Sequence, residues 1–193
     1  DNADELRLMA TSVLEDVRQL NILTNNLLDL TSIHTEDTNI SLTLVNIVEL
    51  LWQARGEILK KHNNYEIIIA LDEIDEHLPE VYANESLMYT ALLNLVENGV
   101  KFSPDHTIYI KFIFKQNQVT ITLKNKTNTL AELELENIFE PFVRGSNSKN
   151  TKGHGVGLSL TKRIIQLHKG SLDAYLVSPE LIVFELNLAK NNS

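Results

Sequence analysis

Lys152-Gly153-His154-Gly155-Val156-Gly157-Leu158-Ser159-Leu160 sets a glycine at every second position of a loop and runs without a break into an apolar-periodic segment. Glycines at that spacing let the backbone turn tightly and keep side chains out of the way. A diphosphate or triphosphate can then lie against bare amides at a helix N-terminus. A structural loop that closes a helix onto a sheet uses the same residues, so the triplet alone does not separate the two readings. The periodic stretch predicts a helix over Leu158–Leu167, stopped at Lys169-Gly170.

Outward from that loop, 193 residues with 43% hydrophobic content suffice for one good core, or one core plus a helical appendage. Cysteine is absent, which excludes disulfides, thiolate metal sites and a Cys nucleophile. A formal net charge of −9 argues against a broad nucleic-acid footprint, because phosphate-backbone binders gather Lys and Arg on one face. No apolar run approaches the ~20 residues needed to span a bilayer, and no basic-then-apolar signal opens the chain. It does not begin with Met and reads as an excised piece of something longer.

Leu6, Val13, Leu20 and Leu27 form one row near heptad spacing, with Met9, Val17, Leu23 and Leu30 beside it. This predicts one long helix to about Ile33, with a seam that needs a partner helix. Thr31–Asn39 is polar and reads as a hinge, with residues 35–42 as the linker. Thr43–Lys61 is expected to be a second helix with Leu44 and Trp52 on its buried side, and Ile67-Ile68-Ile69 a strand buried on both faces. Asn84 reads as an N-cap for a helix with Leu87, Met88, Ala91, Leu92, Leu95 and Val96 on its core face. Two hairpins follow, Thr107–Phe114 with Val119–Lys124, and Ser171–Val177 with Leu181–Leu188. Glu132–Ile138 is expected as a short helix, and Gly145–Thr151 as a mobile polar loop. The order predicts an α+β domain, helices on one face of a mostly antiparallel sheet.

In Asn94-Leu95-Val96-Glu97-Asn98-Gly99-Val100-Lys101-Phe102-Ser103, residues Asn94, Glu97, Asn98 and Lys101 fall on one side of a helix whose other side is apolar. Carboxamide oxygens and a carboxylate can hold a hard cation such as Mg²⁺, and a Lys one turn on can meet phosphate charge. A solvated helix face ending in Lys accounts for the same residues. The stretch resembles the N box of sensor histidine kinases. Lys152–Leu160 resembles the second glycine box of that family, and Ile138-Phe139-Glu140-Pro141-Phe142-Val143-Arg144 its F box. The three occur in the family's order, so residues 43–190 are identified as its catalytic ATP-binding domain. Residues 1–34 resemble the second helix of the dimerisation and phosphoacceptor hairpin.

The resemblance implies a two-layer α/β sandwich of the gyrase, chaperone and histidine-kinase ATPase type, binding ATP and Mg²⁺. It implies Asn98 as the chief metal ligand with Asn94 supporting it, Lys101 on phosphate, and Phe102 lining the nucleotide pocket. Lys152, Gly153, His154, Gly155, Val156, Gly157 and Leu158 would surround the phosphates, with Gly145–Lys152 as a lid anchored by Phe139 and Phe142. The parent reaction is transfer of the ATP γ-phosphoryl to His and then to a response regulator Asp. Homodimerisation through the N-terminal hairpin follows from the same resemblance, as does a cytoplasmic domain whose parent is membrane-anchored.

One motif departs. The family's first glycine box aligns with Asn125-Lys126-Thr127-Asn128-Thr129, where Asn125 replaces the adenine-binding Asp and both glycines are missing. Asn125 keeps an acceptor oxygen without the charge, which implies weaker nucleotide binding. No His in the chain is followed by an acidic residue, so none is assigned as phosphoacceptor. His168 stands at a helix end, where positive charge would suit the C-terminal dipole. Two other readings stay open: a nucleotide-blind docking and dimerisation module, or a serine kinase or ATPase of the same superfamily.

Overall fold

The computed structural model describes residues 41–71, 79–128, 135–143 and 155–190. The expected N-terminal helix and the 145–151 loop lie outside them. The chain divides into two units, Asp1–Thr38 and Asn39–Ser193, and the described residues all belong to the second. In chain order they form β1 (Thr43–Asn46), α1 (Ile47–Lys61), β2 (Glu66–Leu71), β3 (Glu80–Ala83), α2 (Glu85–Phe102), β4 (Thr107–Lys115), β5 (Gln118–Lys126), α3 (Gly157–Leu167), β6 (Ser171–Ser178) and β7 (Leu181–Ala189).

The main sheet runs β2-β4-β5-β7-β6, and a two-stranded ribbon pairs β1 with β3. Only β2 against β4 is parallel; the other pairs are antiparallel. Side chains alternate across strands. Ile108, Ile110 and Phe112 of β4 therefore share one face with Val119, Ile121, Leu123 and Asn125 of β5, all buried. Met88, Leu92, Leu95 and Val96 of α2 and Leu160, Ile164 and Ile165 of α3 are buried as well. Each such large apolar side chain contributes about 1.5–3 kcal/mol on leaving water. The predicted sandwich of helices on a mostly antiparallel sheet is the observed one.

Asn84 caps α2, its side chain accepting from the Leu87 amide at 3.1 Å. Asn46 does the same for α1, accepting from Val48 at 3.1 Å and Glu49 at 3.2 Å. That cap corrects the expected helix start: Thr43–Asn46 is a strand, and its partner β3 had not been foreseen. Leu44 and Tyr82, opposite each other in the ribbon, are 53% and 41% exposed.

Trp52 is not core but 47% exposed, with the Arg55 guanidinium 5.1 Å from its ring centre. The buried stripe of α1 is Ile47, Leu50, Leu51, Ala54 and Ile58. At 100° per residue Trp52 falls well off that stripe. Ile68 is likewise exposed rather than buried, because only one face of β2 carries helices. Of the expected Glu132–Ile138 helix, Leu135 and Glu136 are helical and a turn follows them, while residues 132–134 lie outside the described residues.

His168 overturns its expectation too. It is buried, and that burial holds its imidazole below the ordinary His range, so it is neutral at physiological pH rather than a charged partner of the helix dipole.

Candidate functional site

Asn94, Asn98 and Lys101 sit at i, i+4 and i+7 of α2, one above another on a face that the apolar stripe leaves free. Against this row comes the first residue of α3. A Cβ placed on Gly157 would stand 3.6 Å from Asn98 Nδ2, 3.8 Å from Asn94 Cγ and 3.9 Å from Asn94 Oδ1. Sequence positions some sixty residues apart thus meet across a gap that only a hydrogen fills. Both carboxamides are half-buried, while Glu97 is exposed. Lys101 Nζ lies 5.6 Å from the centre of the Phe102 ring at the end of the same helix.

The start of α3 has no side-chain cap, since its N-cap position is Val156, itself buried in the core. Ser159 donates its hydroxyl back to the Val156 carbonyl at 2.8 Å instead of accepting from an amide. The first-turn amides, including those of Gly157 and Leu158, are the donors that every helix start leaves without an intrahelical partner. They carry the positive end of the helix dipole.

Gly155 has φ +72, a conformation that side-chain-bearing residues avoid. A Cβ there would meet the Val143 carbonyl oxygen at 2.7 Å, and the Phe142 amide donates to the Gly155 carbonyl at 2.8 Å. The Phe139–Val143 stretch and the glycine loop therefore lie back to back. Phe139 packs edge-on against Phe184 at 6.4 Å with Lys162 Nζ 4.4 Å above it, whereas Phe142 is 62% exposed. Of the two aromatics, Phe139 is the one fixed to the sheet. Lys152, Gly153 and His154 lie outside the described residues.

Asn125, on the helix-covered face of β5, is 3% exposed. Its Nδ2 donates to the Lys126 carbonyl at 2.7 Å, which aims the oxygen elsewhere. Oδ1 is buried without a hydrogen-bond partner among the described residues. An unmet buried acceptor costs about 1–3 kcal/mol, which a donor reaching it would relieve. An amino-bearing base fits that donor. Thr127, where the family has glycine, is buried and donates to the Asn128 carbonyl at 3.0 Å.

Among the described residues no group of three or more His, Asp or Glu side chains could hold a metal ion. The oxygen donors near the glycine loop are carboxamides, which suit a hard cation that keeps water and phosphate ligands. Sequence reading missed the Phe142–Gly155 bond and the place of His168. The first had a signal in the adjacency of the F box and glycine box, the second only in the His-Lys-Gly helix stop.

Residues 83–190 match the model of the histidine kinase-, DNA gyrase B- and HSP90-like ATPase family. The chain is 35% identical over 137 residues to the adaptive-response sensory kinase SasA of Prochlorococcus marinus, covering 69% of this chain and 33% of that relative. It thus spans about a third of the length of this curated relative. The catalytic domain of the histidine kinase ThkA superposes with a TM-score of 0.63 at 25% identity, over 77% of this chain and 95% of that one. Full-length ShkA in complex with AMPPNP superposes at 0.77 and 24% identity, over 97% of this chain and 40% of that one. The match covers the strand, helix and loop that build the site, and the chain belongs to the histidine kinase-, gyrase- and HSP90-like ATPase family as a sensor histidine kinase catalytic domain.

Proposed function

We propose that this chain binds Mg·ATP between the Asn94/Asn98 row, the start of α3 and Asn125. In its parent it transfers the γ-phosphoryl to a His on a segment outside these residues, and an Asp of a response regulator receives it in turn. The observation that carries the reading is Gly157 standing within van der Waals reach of both carboxamides, with Asn98 Nδ2 and Asn94 Oδ1 the polar atoms nearest to it. The Asn125 oxygen, without a partner among the described residues, also supports it.

Phosphoryl transfer asks a protein mainly for positioning and charge neutralisation. Bound Mg²⁺ would supply charge neutralisation across the phosphates, held by Asn98 with Asn94 beside it. The α3 first-turn amides orient phosphate oxygens, and Lys101 draws the remaining negative charge toward the end of α2. Phe102 lines the nucleotide pocket, and Asn125 Oδ1 accepts from the base. Gly155 to Leu158, with Lys152, Gly153 and His154 ahead of them, cradle the phosphates. Dimerisation through an N-terminal helix hairpin and membrane attachment of the parent belong to the same reading. No helix among the described residues is long and apolar enough to cross a membrane.

The test is a titration with a fluorescent ATP analogue, with and without Mg²⁺, beside Asn98→Ala. Saturable, Mg²⁺-dependent binding that the variant loses is expected. Absence of binding at millimolar nucleotide would instead favour a docking module, a reading prompted by the buried Thr127 at a position where the family keeps a bare backbone. Radiolabelled phosphate on a His of the isolated 193 residues would overturn the assignment of the acceptor to another segment.

A further inference from the structure

His168 lies at the end of α3 farthest from the glycine loop, and its two ring nitrogens are both engaged. Nδ1 is 2.7 Å from the Ile164 carbonyl oxygen, and Nε2 is 3.0 Å from the backbone nitrogen of Asn84. A carbonyl only accepts, so Nδ1 carries the proton and the bare Nε2 accepts from the Asn84 N–H. One tautomer of one protonation state satisfies both bonds. Asn84 is also the N-cap of α2, its side chain accepting from Leu87. The imidazole therefore joins the last turn of α3 to the first turn of α2.

At the other end of the same pair, Gly157 meets Asn94 and Asn98. The two contacts fix an antiparallel register. Eleven residues of α3 separate Gly157 from His168, about 16 Å of rise, and ten to fourteen residues of α2 separate Asn84 from the two carboxamides, about 15–21 Å. A slip of one turn, about 5.4 Å, would break the His168 bond and carry Gly157 away from the Asn94/Asn98 row.

We infer that His168 is a positioning residue for the nucleotide site, a neutral clasp from α3 to the α2 N-cap that sets the register at which Gly157 faces Asn94 and Asn98. This rests on the nucleotide-binding reading above. Protonation of Nε2 removes the acceptor, so acid opens the clasp. The charged residues on the elements around it are Glu80 of β3, Glu85, Glu97 and Lys101 of α2, Lys162 and Arg163 of α3, Lys169 after it and Asp173 of β6. None of them enters the balance on the imidazole, which burial sets first and the Ile164 carbonyl second.

The experiment compares the full chain with His168→Gln, whose amide oxygen can accept from Asn84 but cannot titrate, and with His168→Leu. Affinity for a fluorescent ATP analogue with Mg²⁺ is measured from pH 5.5 to 8, alongside imidazole ¹⁵N shifts and hydrogen exchange of the Asn84 amide. The nucleotide itself titrates in this range, so the clasp accounts only for the part of the acid loss that Gln lacks. The expected result is a protonated Nδ1, an Asn84 amide that loses protection as His168 takes its proton, and a flatter pH profile in His168→Gln. In His168→Leu, affinity falls by about tenfold at neutral pH, the size of one buried donor left unpaired, and the gap to wild type closes as His168 takes its proton. Leu binding as tightly as wild type, or Gln keeping the full acid loss, would overturn the inference. So would an Asn84 amide indifferent to the protonation of His168. Should no form bind nucleotide, the functional reading fails, while the ¹⁵N shifts and the Asn84 amide still decide the clasp.

Discussion

The two ends of the α2/α3 pair are built to opposite specifications. At the His168 end the polar groups find partners inside the protein: Ile164 carbonyl, imidazole, Asn84 amide, Asn84 side chain and Leu87 amide form one closed chain. At the Gly157 end the first-turn amides have no side-chain cap and two carboxamides border a position with no side chain, while β5 holds an acceptor without a partner among the described residues. Buried polar groups are ordinarily satisfied. On the proposed function, the closed end belongs to folding and the open end to a ligand. Substitutions at the two ends should separate stability from binding.

The largest loss of stability is expected from Gly155→Ala. The residue would have to hold φ +72 with its Cβ against the Val143 oxygen and Phe142 carbon, both backbone atoms that cannot step aside. A strained conformation of this kind costs about 1–3 kcal/mol. A urea melt measures it, and an unchanged midpoint would mean that the loop is free to leave the Phe139–Val143 stretch.

Acid should act in two stages. Because His168 has a lowered pKa in the folded state, its contribution is whole above the unfolded value of about 6.5 and fades as pH falls below it. Asp105 is held down to about 2 by the Ser103 hydroxyl first and then by Lys126 at 2.9 Å. Its contribution is whole above about 4 and is lost as pH falls toward 2. With its side chain 39% exposed, solvent screening leaves about 1 kcal/mol or less. Melts against pH should lose the first stage in His168→Gln and the second in Asp105→Asn.

Much of this contrast was legible in the sequence, but unevenly. The order of elements followed from period and caps, because apolar spacing in α2 and α3 and alternation in β4 to β7 agree with their burial. The meeting of Asn94, Asn98 and the glycine loop was legible only through the family resemblance, since spacing within a chain says nothing about which helix start faces which helix side. Trp52 and Ile68 failed for a common reason. Hydrophobicity predicts burial, yet a face is buried only if something packs on it, and neither the open side of α1 nor the bare face of β2 has a cover among the described residues. His168 failed because a helix-end His can be a charged terminus or a neutral buried link, and the chain that closes around it comes from residue 84.

At the open end, Asn125→Asp should tighten ATP binding by about fivefold. The gain is the difference between a charge-assisted and a neutral hydrogen bond, about 1 kcal/mol. Calorimetric titration against ATP reads it directly. Equal affinity in the two forms would mean that Oδ1 does not face the base, and its orphaned state would then need another donor.

Gly157→Ala is expected to change stability least and to discriminate best. The atoms nearest to the new methyl, Asn98 Nδ2 and Asn94 Cγ and Oδ1, lie at ordinary contact distance, between 3.6 and 3.9 Å. Alanine also favours the helix that begins at this residue. The melting midpoint should therefore stay within about 0.5 kcal/mol of wild type, on either side. Nucleotide affinity should nevertheless fall, because the methyl fills the gap between the two carboxamides and the first-turn amides. A structural loop predicts no change in either quantity, and a clash predicts a loss in both. Only a ligand site predicts that the fold is indifferent to the methyl while binding is not.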